Sequence, residues 1–194
     1  MVFAFANSGT LIFSLTHLML AIMMNSTMEN QAVTTLDPEQ LRGAMRAWSA
    51  GVTVVTATHE GIQHGMTVNS FTSISLDPAL ITISLQSSTR TCELVSKAHA
   101  FGLTILSAEQ AHLSDLFSGR TTTDPQNRFA DVPTETLVSG SPLIVGGLAW
   151  MDCRVVQTFE AGMNTLFIAE VLAARGTGEG QPLIYHNRKY WQLK

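Results

Sequence analysis

Charged residues are scarce in this 194-residue chain: they make up 13% of it, and the formal net charge is −4. Nucleic-acid binding depends on clustered lysine and arginine side chains that contact phosphates. Arg42 and Arg46 lie one helical turn apart, but no longer basic run exists. We therefore expect no nucleic-acid partner. A hydrophobic fraction of 45% is enough for a substantial core.

Cysteine is almost absent, since only Cys92 and Cys153 occur. No C-x-x-C pair exists, which argues against zinc knuckles and thioredoxin-type redox motifs. The six histidines are scattered without an H-x-x-x-H pair, so we expect no metal site. Each cysteine is interpreted as a small buried apolar residue, and the chain as a reduced, cytoplasmic protein. Asp77 and Asp152 are expected to serve turns or packing rather than acid–base catalysis.

The first 28 residues contain no Asp, Glu, Lys or Arg. A secretory signal would carry a basic region, and polar residues interrupt the apolar stretch, so neither a signal nor a membrane span is predicted. We interpret residues 1–35 as an appendage that is disordered, an overextended start, or a segment buried on a partner subunit. Residues 36–194 are predicted to form one domain.

Familiar nucleotide-binding and hydrolase motifs are missing too. There is no G-x-G-x-x-G, no Walker-type loop and no G-x-S-x-G. Any nucleotide would therefore be held in another way than in dinucleotide folds or P-loop proteins.

Strand patterns dominate the remainder of the chain. Asp37-Pro38 predicts a helix start and Gly51 its end, while Ser87-Ser88-Thr89 and Ser107 to Gln110 predict two further helix starts. β-Branched runs predict many strands with no strand–helix alternation. The predicted strands are 52–57, a second one leading into residue 65, 79–86, 101–106, 148–157, 165–174 and 182–185 continuing toward Trp191. Such a pattern favours a mainly β fold, an antiparallel barrel with a few flanking helices.

The polar segment, residues 65–78 (GMTVNSFTSISLDP), lies between two apolar strands. Buried hydroxyl and amide groups need partners, so this segment suits a neutral polar ligand along an extended backbone. The alternative is structural, because Thr and Ser are also good strand residues.

A second hydroxyl cluster, residues 86–91 (QSSTRT), stands at a strand-to-helix junction. A helix N-terminus with hydroxyl groups and Arg90 is a plausible phosphate cradle, although simple helix capping explains it equally well. A polar strand for a ring system together with a phosphate pocket would suit a mononucleotide.

From about Leu36 to Leu193 the chain resembles the flavin reductase family with the FMN-binding split-barrel fold. These short-chain proteins are reductase components that supply reduced flavin to partner monooxygenases. The resemblance rests on an ordered set of matching stretches. They are GVTVVT (51–56), GMTVNSFTSISLDP (65–78), Phe101 with TILS (104–107), RFA (128–130), GSPL (140–143), LAWMDCRV (148–155) and FIAEV (167–171).

The resemblance implies an NAD(P)H-dependent flavin reductase that binds FMN or FAD and uses NADH or NADPH as co-substrate. It also implies a homodimer with the site near the subunit contact, and a possible monooxygenase partner. Hydride transfer to flavin depends chiefly on positioning of the nicotinamide, so no side-chain nucleophile is required. The residues placed at the flavin by similarity are Thr67, Val68, Asn69, Ser70 and Phe71, with Gln86, Ser88, Thr89 and Thr91 at its phosphate, and Phe129 and Tyr185.

One position departs from the family pattern. Where members usually carry Gly-Asp-His, this chain has Gly162-Met163-Asn164. Asn can donate and accept hydrogen bonds but cannot take a proton. Asn164 is therefore the candidate catalytic residue, orienting the nicotinamide without charge. The alternative is a flavoenzyme that retains its flavin for a different reaction on an organic substrate.

Overall fold

The structure, a computed structural model, describes residues 36–121 and 128–193. The predicted appendage, residues 1–35, lies outside the described residues. The described residues belong to two units, which divide between Arg42 and Gly43. The predicted domain boundary before residue 36 stays a prediction.

Three α-helices and twelve strands make up the described chain. The helices are α1 (Pro38–Met45), α2 (Arg90–Ala98) and α3 (Ala111–Ser118), the last preceded by a 3-10 turn (Ala108–Gln110). The strands are β1 (Ala50–Gly51), β2 (Thr53–His59), β3 (Ile62–Val68), β4 (Phe71–Leu76), β5 (Ala79–Gln86), β6 (Ala100–Ile105), β7 (Thr134–Glu135), β8 (Leu143–Ile144), β9 (Ala149–Ala161), β10 (Asn164–Gly176), β11 (Ile184–His186) and β12 (Lys189–Trp191).

The three predicted helix starts are present. Asp37 accepts a hydrogen bond from the Glu39 backbone at 3.0 Å, and Thr89 Oγ1 accepts one from Cys92 N at 3.3 Å. The Ser107 backbone N–H donates to Gln110 Oε1 at 3.1 Å, as a capping box requires. The predicted end of the first helix at Gly51 is wrong, because Gly51 pairs with Ile184 in strand β11 and α1 stops at Met45.

Seven antiparallel strands form the main sheet, in the order β3-β2-β6-β9-β10-β5-β4. Its two end strands, β3 and β4, follow each other in the chain and are joined only by Asn69 and Ser70. The Cα atoms of Val68 and Phe71 are therefore at most about 11 Å apart. In a flat seven-stranded sheet the end strands would lie about 29 Å apart. The sheet must curl until its ends approach, and the barrel is split at the polar segment.

Apolar side chains from both faces of this curled sheet form two core clusters. The first is centred on the fully buried Leu85, Phe101 and Phe167, and the second on Val54, Leu106 and Phe117. Helix α2 buries Thr91, Cys92, Leu94 and Val95. The first cluster includes Val68 and Leu85, which lie next to candidate site residues at the ends of β3 and β5.

Both cysteines are buried, as predicted, and burial raises the pKa of Cys153 to about 12. Its neighbour Asp152 is fully buried as well. Asp152 Oδ2 accepts hydrogen bonds from the backbone of Val138 and Ser139 at 2.7 and 2.9 Å. Asp152 therefore holds the loop before β8 to the sheet, which agrees with the packing role expected of it.

Candidate active site

A pocket of about 170 Å³ lies where strand β3 ends and the barrel is split. Its walls come from the polar segment, the residue between strands β1 and β2, helix α3 with the loop that follows, and the β11–β12 hairpin. The lining residues are Val52, Thr67, Val68, Asn69, Ser114, Ser118, Arg120, Tyr185 and Tyr190. We refer to it as the split pocket.

The floor of the split pocket is fixed by internal hydrogen bonds. Thr67 Oγ1 donates to the Ser114 carbonyl at 2.7 Å, which ties β3 to helix α3. The Val68 side chain is 6% exposed, and its carbonyl accepts a hydrogen bond from Thr53 Oγ1 at 3.0 Å. The Thr67 hydroxyl proton is therefore committed, whereas the oxygen remains able to accept a hydrogen bond.

Asn69 and Ser70 cross the split between the two end strands. Asn69 is exposed, and its side chain makes no hydrogen bond within the described residues. Ser70 Oγ donates to the Ser84 carbonyl at 2.6 Å, which anchors the crossing to strand β5. The Asn69 amide thus keeps its donors and acceptor available beside the pocket.

The opposite wall carries two tyrosines, 5.9 Å apart between ring centroids. Tyr185 OH accepts a hydrogen bond from Arg120 Nη2 at 3.2 Å. Tyr190 OH lies 2.9 Å from Ser114 Oγ and 2.8 Å from Asp115 Oδ1. Burial is the main reason that the pKa of Tyr190 is raised above its ordinary value, so Tyr190 stays a neutral donor.

The junction between β5 and α2 holds the predicted phosphate residues. Thr89 Oγ1 donates to the Gln86 carbonyl at 2.7 Å while capping helix α2. Gln86 Nε2 donates to Ser88 Oγ at 3.1 Å, and both side chains are exposed. The junction thus presents hydroxyl and amide groups to solvent at a helix N-terminus, where anions bind favourably.

Thr91 is oriented differently from its neighbours. Its side chain is fully buried, and Oγ1 lies 2.8 Å from His64 Nδ1. Burial, followed by the charges of Arg128 and Arg90, lowers the pKa of His64 below its ordinary value of 6.5. Thr91 therefore braces helix α2 against β3 in this structure, and its predicted contact with a phosphate stays a prediction.

Asn164 begins strand β10 and is exposed. It pairs with Gln86 of β5, and Ser70 bonds the same strand two residues before Gln86. Gln86 and Asn164 thus face each other on neighbouring strands at one end of the sheet, and Ser70, which precedes β4, lies two residues along β5 from Gln86. One strand spacing, about 5 Å, separates Gln86 from Asn164.

The two predicted phenylalanines pack into the protein. Phe71 lies against the first core cluster, and Phe129 lies 5.1 Å from Phe117 in an edge-to-face arrangement. A Cβ on Gly65 would lie 2.9 Å from the Phe117 ring and 3.3 Å from Phe129. The absence of a side chain at Gly65 therefore allows the rings of Phe117 and Phe129 to approach β3 at the start of the polar segment.

The structure thus sorts the predicted residues into two neighbouring groups. Thr67, Val68, Asn69 and Tyr185 line the split pocket, while Ser70, Gln86, Ser88, Thr89 and Asn164 lie along the sheet end and the β5–α2 junction. Ser70 joins the two groups. Five further lining residues were not among the predicted site residues: Val52, Ser114, Ser118, Arg120 and Tyr190. The hydroxyl-rich helix α3 and a Tyr in each strand of the terminal hairpin were the signals available for them.

Comparison with known proteins identifies the family. The family model described as "Flavin reductase like domain" matches residues 45–194. The chain belongs to this family. The resemblance inferred from the sequence is thereby confirmed.

Individual relatives agree with the family assignment. The chain is 38% identical over 168 residues to the NADH-dependent flavin reductase StyB of Pseudomonas fluorescens, covering 84% of this chain and 95% of that protein. It is 32% identical to the reductase component of a 4-nitrophenol 4-monooxygenase/4-nitrocatechol 2-monooxygenase from Rhodococcus opacus, covering 87% and 88%.

A solved structure is similar over nearly the whole domain. The NADH:FAD oxidoreductase SgcE6 of Streptomyces globisporus C-1027, in complex with NAD and FAD fragments, superposes with a TM-score of 0.75 at 28% identity. The match covers 84% of this chain and 98% of that chain. The predicted mainly β fold of split-barrel type is confirmed.

Residues 36–121 and 128–193 contain no group of three or more His, Cys, Asp or Glu side chains that could hold a metal ion. Within the same ranges, no helix has the length and apolar character needed to cross a membrane.

Proposed function

We propose that this chain is an NADH-dependent flavin reductase that binds flavin along residues 67–70 and supplies the reduced flavin to a partner monooxygenase. The observation that supports this flavin site is the polar crossing, Asn69 and Ser70, at the split of the barrel. It places an uncommitted amide, Asn69, at the mouth of a pocket lined by neutral polar groups.

The donor set of the split pocket fits an isoalloxazine ring. That ring has a polar edge with both donors and acceptors and a flat apolar body. Asn69 can donate and accept, the Thr67 hydroxyl can accept, and Val52 and Val68 offer apolar surface. No charged nucleophile is needed, because bound flavin supplies the redox chemistry by accepting hydride at its ring.

The flavin phosphate is assigned to the β5–α2 junction. Ser88 and Thr89 lie at the N-terminus of a nine-residue helix, and Arg90 opens it. Aligned backbone N–H groups and a helix dipole favour an anion there. Ser70 follows the pocket-lining Asn69 and bonds Ser84, two residues before Gln86, so one ligand can span the junction and the split pocket.

Asn164 is assigned to nicotinamide orientation. It pairs with Gln86 at the sheet end, and Ser70 is anchored to Ser84 two residues along the same strand β5. A neutral amide can hold the nicotinamide carboxamide by hydrogen bonds, and hydride transfer requires the reacting atoms about 3–3.5 Å apart. Because Asn does not titrate, this residue imposes no proton requirement on the step.

A homodimer is proposed, with the site near the subunit contact. Two observations support it. The split pocket of about 170 Å³ is smaller than the roughly 300–1,000 Å³ of ordinary ligand sites, so one chain encloses only part of a flavin. Trp191, next to the pocket-lining Tyr190, is 52% exposed, and Trp48 is 64% exposed. Exposed aromatic residues are typical of protein interfaces.

The finer assignments follow the relatives. NADH is favoured over NADPH because StyB and SgcE6 are NADH enzymes by name, while FMN and FAD are both proposed as the flavin. The monooxygenase partner follows the Rhodococcus opacus component. A cytoplasmic setting suits two reduced, buried cysteines.

The test is NADH oxidation by the purified protein, followed at 340 nm with and without added FMN or FAD. We expect absorbance loss that depends on flavin, and a particle mass in light scattering of two chains. A protein that binds flavin but leaves NADH untouched would contradict the proposed activity. A monomer that reduces flavin at full rate would contradict the proposed dimeric site alone.

A further inference from the structure

Arg120 is the only charged side chain among the described residues that line the split pocket. The other polar lining groups are hydroxyls and one amide. Arg120 follows helix α3, and its backbone N–H donates to the Asp115 carbonyl at 3.1 Å. The position of its main chain at the pocket wall is therefore set by the end of that helix.

The guanidinium group is held but not saturated. Nη2 donates to Tyr185 OH at 3.2 Å, and Nη1 lies 3.4 Å from Asp115 Oδ1. Its carbon lies 5.8 Å from the centroid of the Tyr185 ring. A guanidinium group has five N–H donors, so donors remain for a ligand. The side chain is 52% exposed, which places it at the pocket mouth rather than in its depth.

Asp115 competes only weakly with an anionic ligand for the Arg120 guanidinium group. Its carboxylate also faces Tyr190 OH at 2.8 Å, so its negative charge is shared between two donors. The ion pair with Arg120 is long and half exposed, and such pairs contribute little. The guanidinium group is thus free to turn toward an anionic ligand while Tyr185 keeps it near the pocket.

We propose that Arg120 binds the phosphate groups of the nicotinamide coenzyme. This inference rests on the proposed function, in which the flavin ring occupies the split pocket. The flavin phosphate is assigned elsewhere, to the β5–α2 junction, so the anion at Arg120 belongs to the second ligand. A planar guanidinium fork at a solvent-exposed mouth matches phosphate oxygens, which can accept two parallel hydrogen bonds.

The experiment compares three hydride donors with the wild-type protein and the Arg120→Gln variant. The donors are NADH, reduced nicotinamide mononucleotide and dihydronicotinamide riboside, which carry a diphosphate, one phosphate and no phosphate. We expect Arg120→Gln to raise the KM for NADH about five- to tenfold, with kcat and the flavin Kd unchanged. Arg120→Lys, which keeps the charge without the fork, should raise it less.

The phosphate-free donor decides the assignment. With dihydronicotinamide riboside, wild type and Arg120→Gln should have the same KM. An equal loss with all three donors would overturn the proposal, because Arg120 would then act on the ring or on the fold. A loss of flavin affinity would also overturn it and assign Arg120 to the flavin. In either case Asn69→Leu should still weaken flavin binding, so the proposed flavin position would stand.

Arg154→Gln is the matched control. Arg154 is 59% exposed and pairs with the Glu170 carboxylate, as Arg120 pairs with Asp115, but it lies on the β9–β10 hairpin outside the pocket lining. The same change of charge there should leave the KM for all three donors unchanged. An equal rise of the KM in Arg120→Gln and Arg154→Gln would show that the change of net charge causes the effect, and this would overturn the proposal.

Discussion

Asn69→Leu tests the proposed flavin position. The residue joins the two end strands of the barrel, is exposed, and its side chain has no hydrogen bond within the described residues. Leucine has a similar size and cannot hydrogen-bond. The change therefore removes polar groups that only a ligand would use.

The magnitude follows from the amide chemistry. An Asn side chain can donate through nitrogen and accept through oxygen, and each hydrogen bond contributes about 0.5–1.5 kcal/mol. Losing one of each kind weakens flavin binding by about 1–3 kcal/mol, or roughly 5- to 150-fold in Kd. Because the site is exposed, the free energy of unfolding should change by less than about 0.5 kcal/mol.

Calorimetric titration of the flavin-free protein with FMN and with FAD gives both Kd values without relying on fluorescence quenching. Thermal unfolding of the same samples checks the fold. Gln157→Leu is the control, since it exchanges an exposed amide for Leu on strand β9, away from the pocket lining. A folded Asn69→Leu protein with unchanged Kd values would show that the flavin lies elsewhere.

Three other predictions concern proton dependence and packing. Because Asn164 does not titrate, the hydride-transfer rate measured by stopped flow should have no inflection near pH 6.5, whereas Asn164→His should introduce one. A wild-type inflection there that Asn164→Ala removes would refute this. The pKa of His64 is lowered in the folded state, so unfolded chains bind more protons and stability falls as the pH drops below about 6.5. His64→Asn should lose part of that decrease in Tm between about pH 7.5 and 5.5, and an identical decrease would contradict the assignment. A Cβ on Gly102 would lie 2.8 Å from the Pro142 carbonyl oxygen and from Thr56 Oγ1. Gly102→Ala should therefore lower the free energy of unfolding by about 1–3 kcal/mol. Each kcal/mol corresponds to a decrease of about 2–4 °C in Tm. Gly51→Ala, where a Cβ meets nothing within 4 Å, is the control, and equal Tm values for the two variants would contradict the packing argument.

Local patterns predicted the secondary structure well, because the signals are themselves local. The capping residues Thr89 and Ser107 begin their helices as predicted. Residues 53–57 of the predicted strand 52–57 lie in β2, and Gly162 with φ of 63° forms the turn of the β9–β10 hairpin. The helix ending expected at Gly51 failed because pairing with β11, more than 130 residues later, competes with helix extension.

Only one wall of the candidate site, the polar segment, could be predicted from the sequence. The polar segment is conspicuous because five hydroxyl residues fall within nine positions, 67–75. The facing wall is assembled from residues distant in the chain: Tyr190 reaches Ser114 across 76 residues, and Tyr185 reaches Arg120 across 65. No pattern in a single sequence specifies such contacts.

For Thr91, the hydroxyl composition of the cluster and the helical periodicity predict different environments. Hydroxyl composition groups it with Ser88 and Thr89, but helical geometry separates it from them. Thr91 and Val95 are one turn apart and both face the core. Helical periodicity applied to residues 90–98 would have identified Thr91 as an inward position, which the composition of the cluster obscured.

The most direct test of the site is a crystal structure of this protein with FMN or FAD bound. The ring should lie along residues 67–70 with Asn69 in hydrogen-bonding contact, and the phosphate nearest the ribityl chain should lie at Ser88 and Thr89. A flavin ring placed away from the split of the barrel, or the phosphate nearest the ribityl chain held at Arg120, would contradict the account.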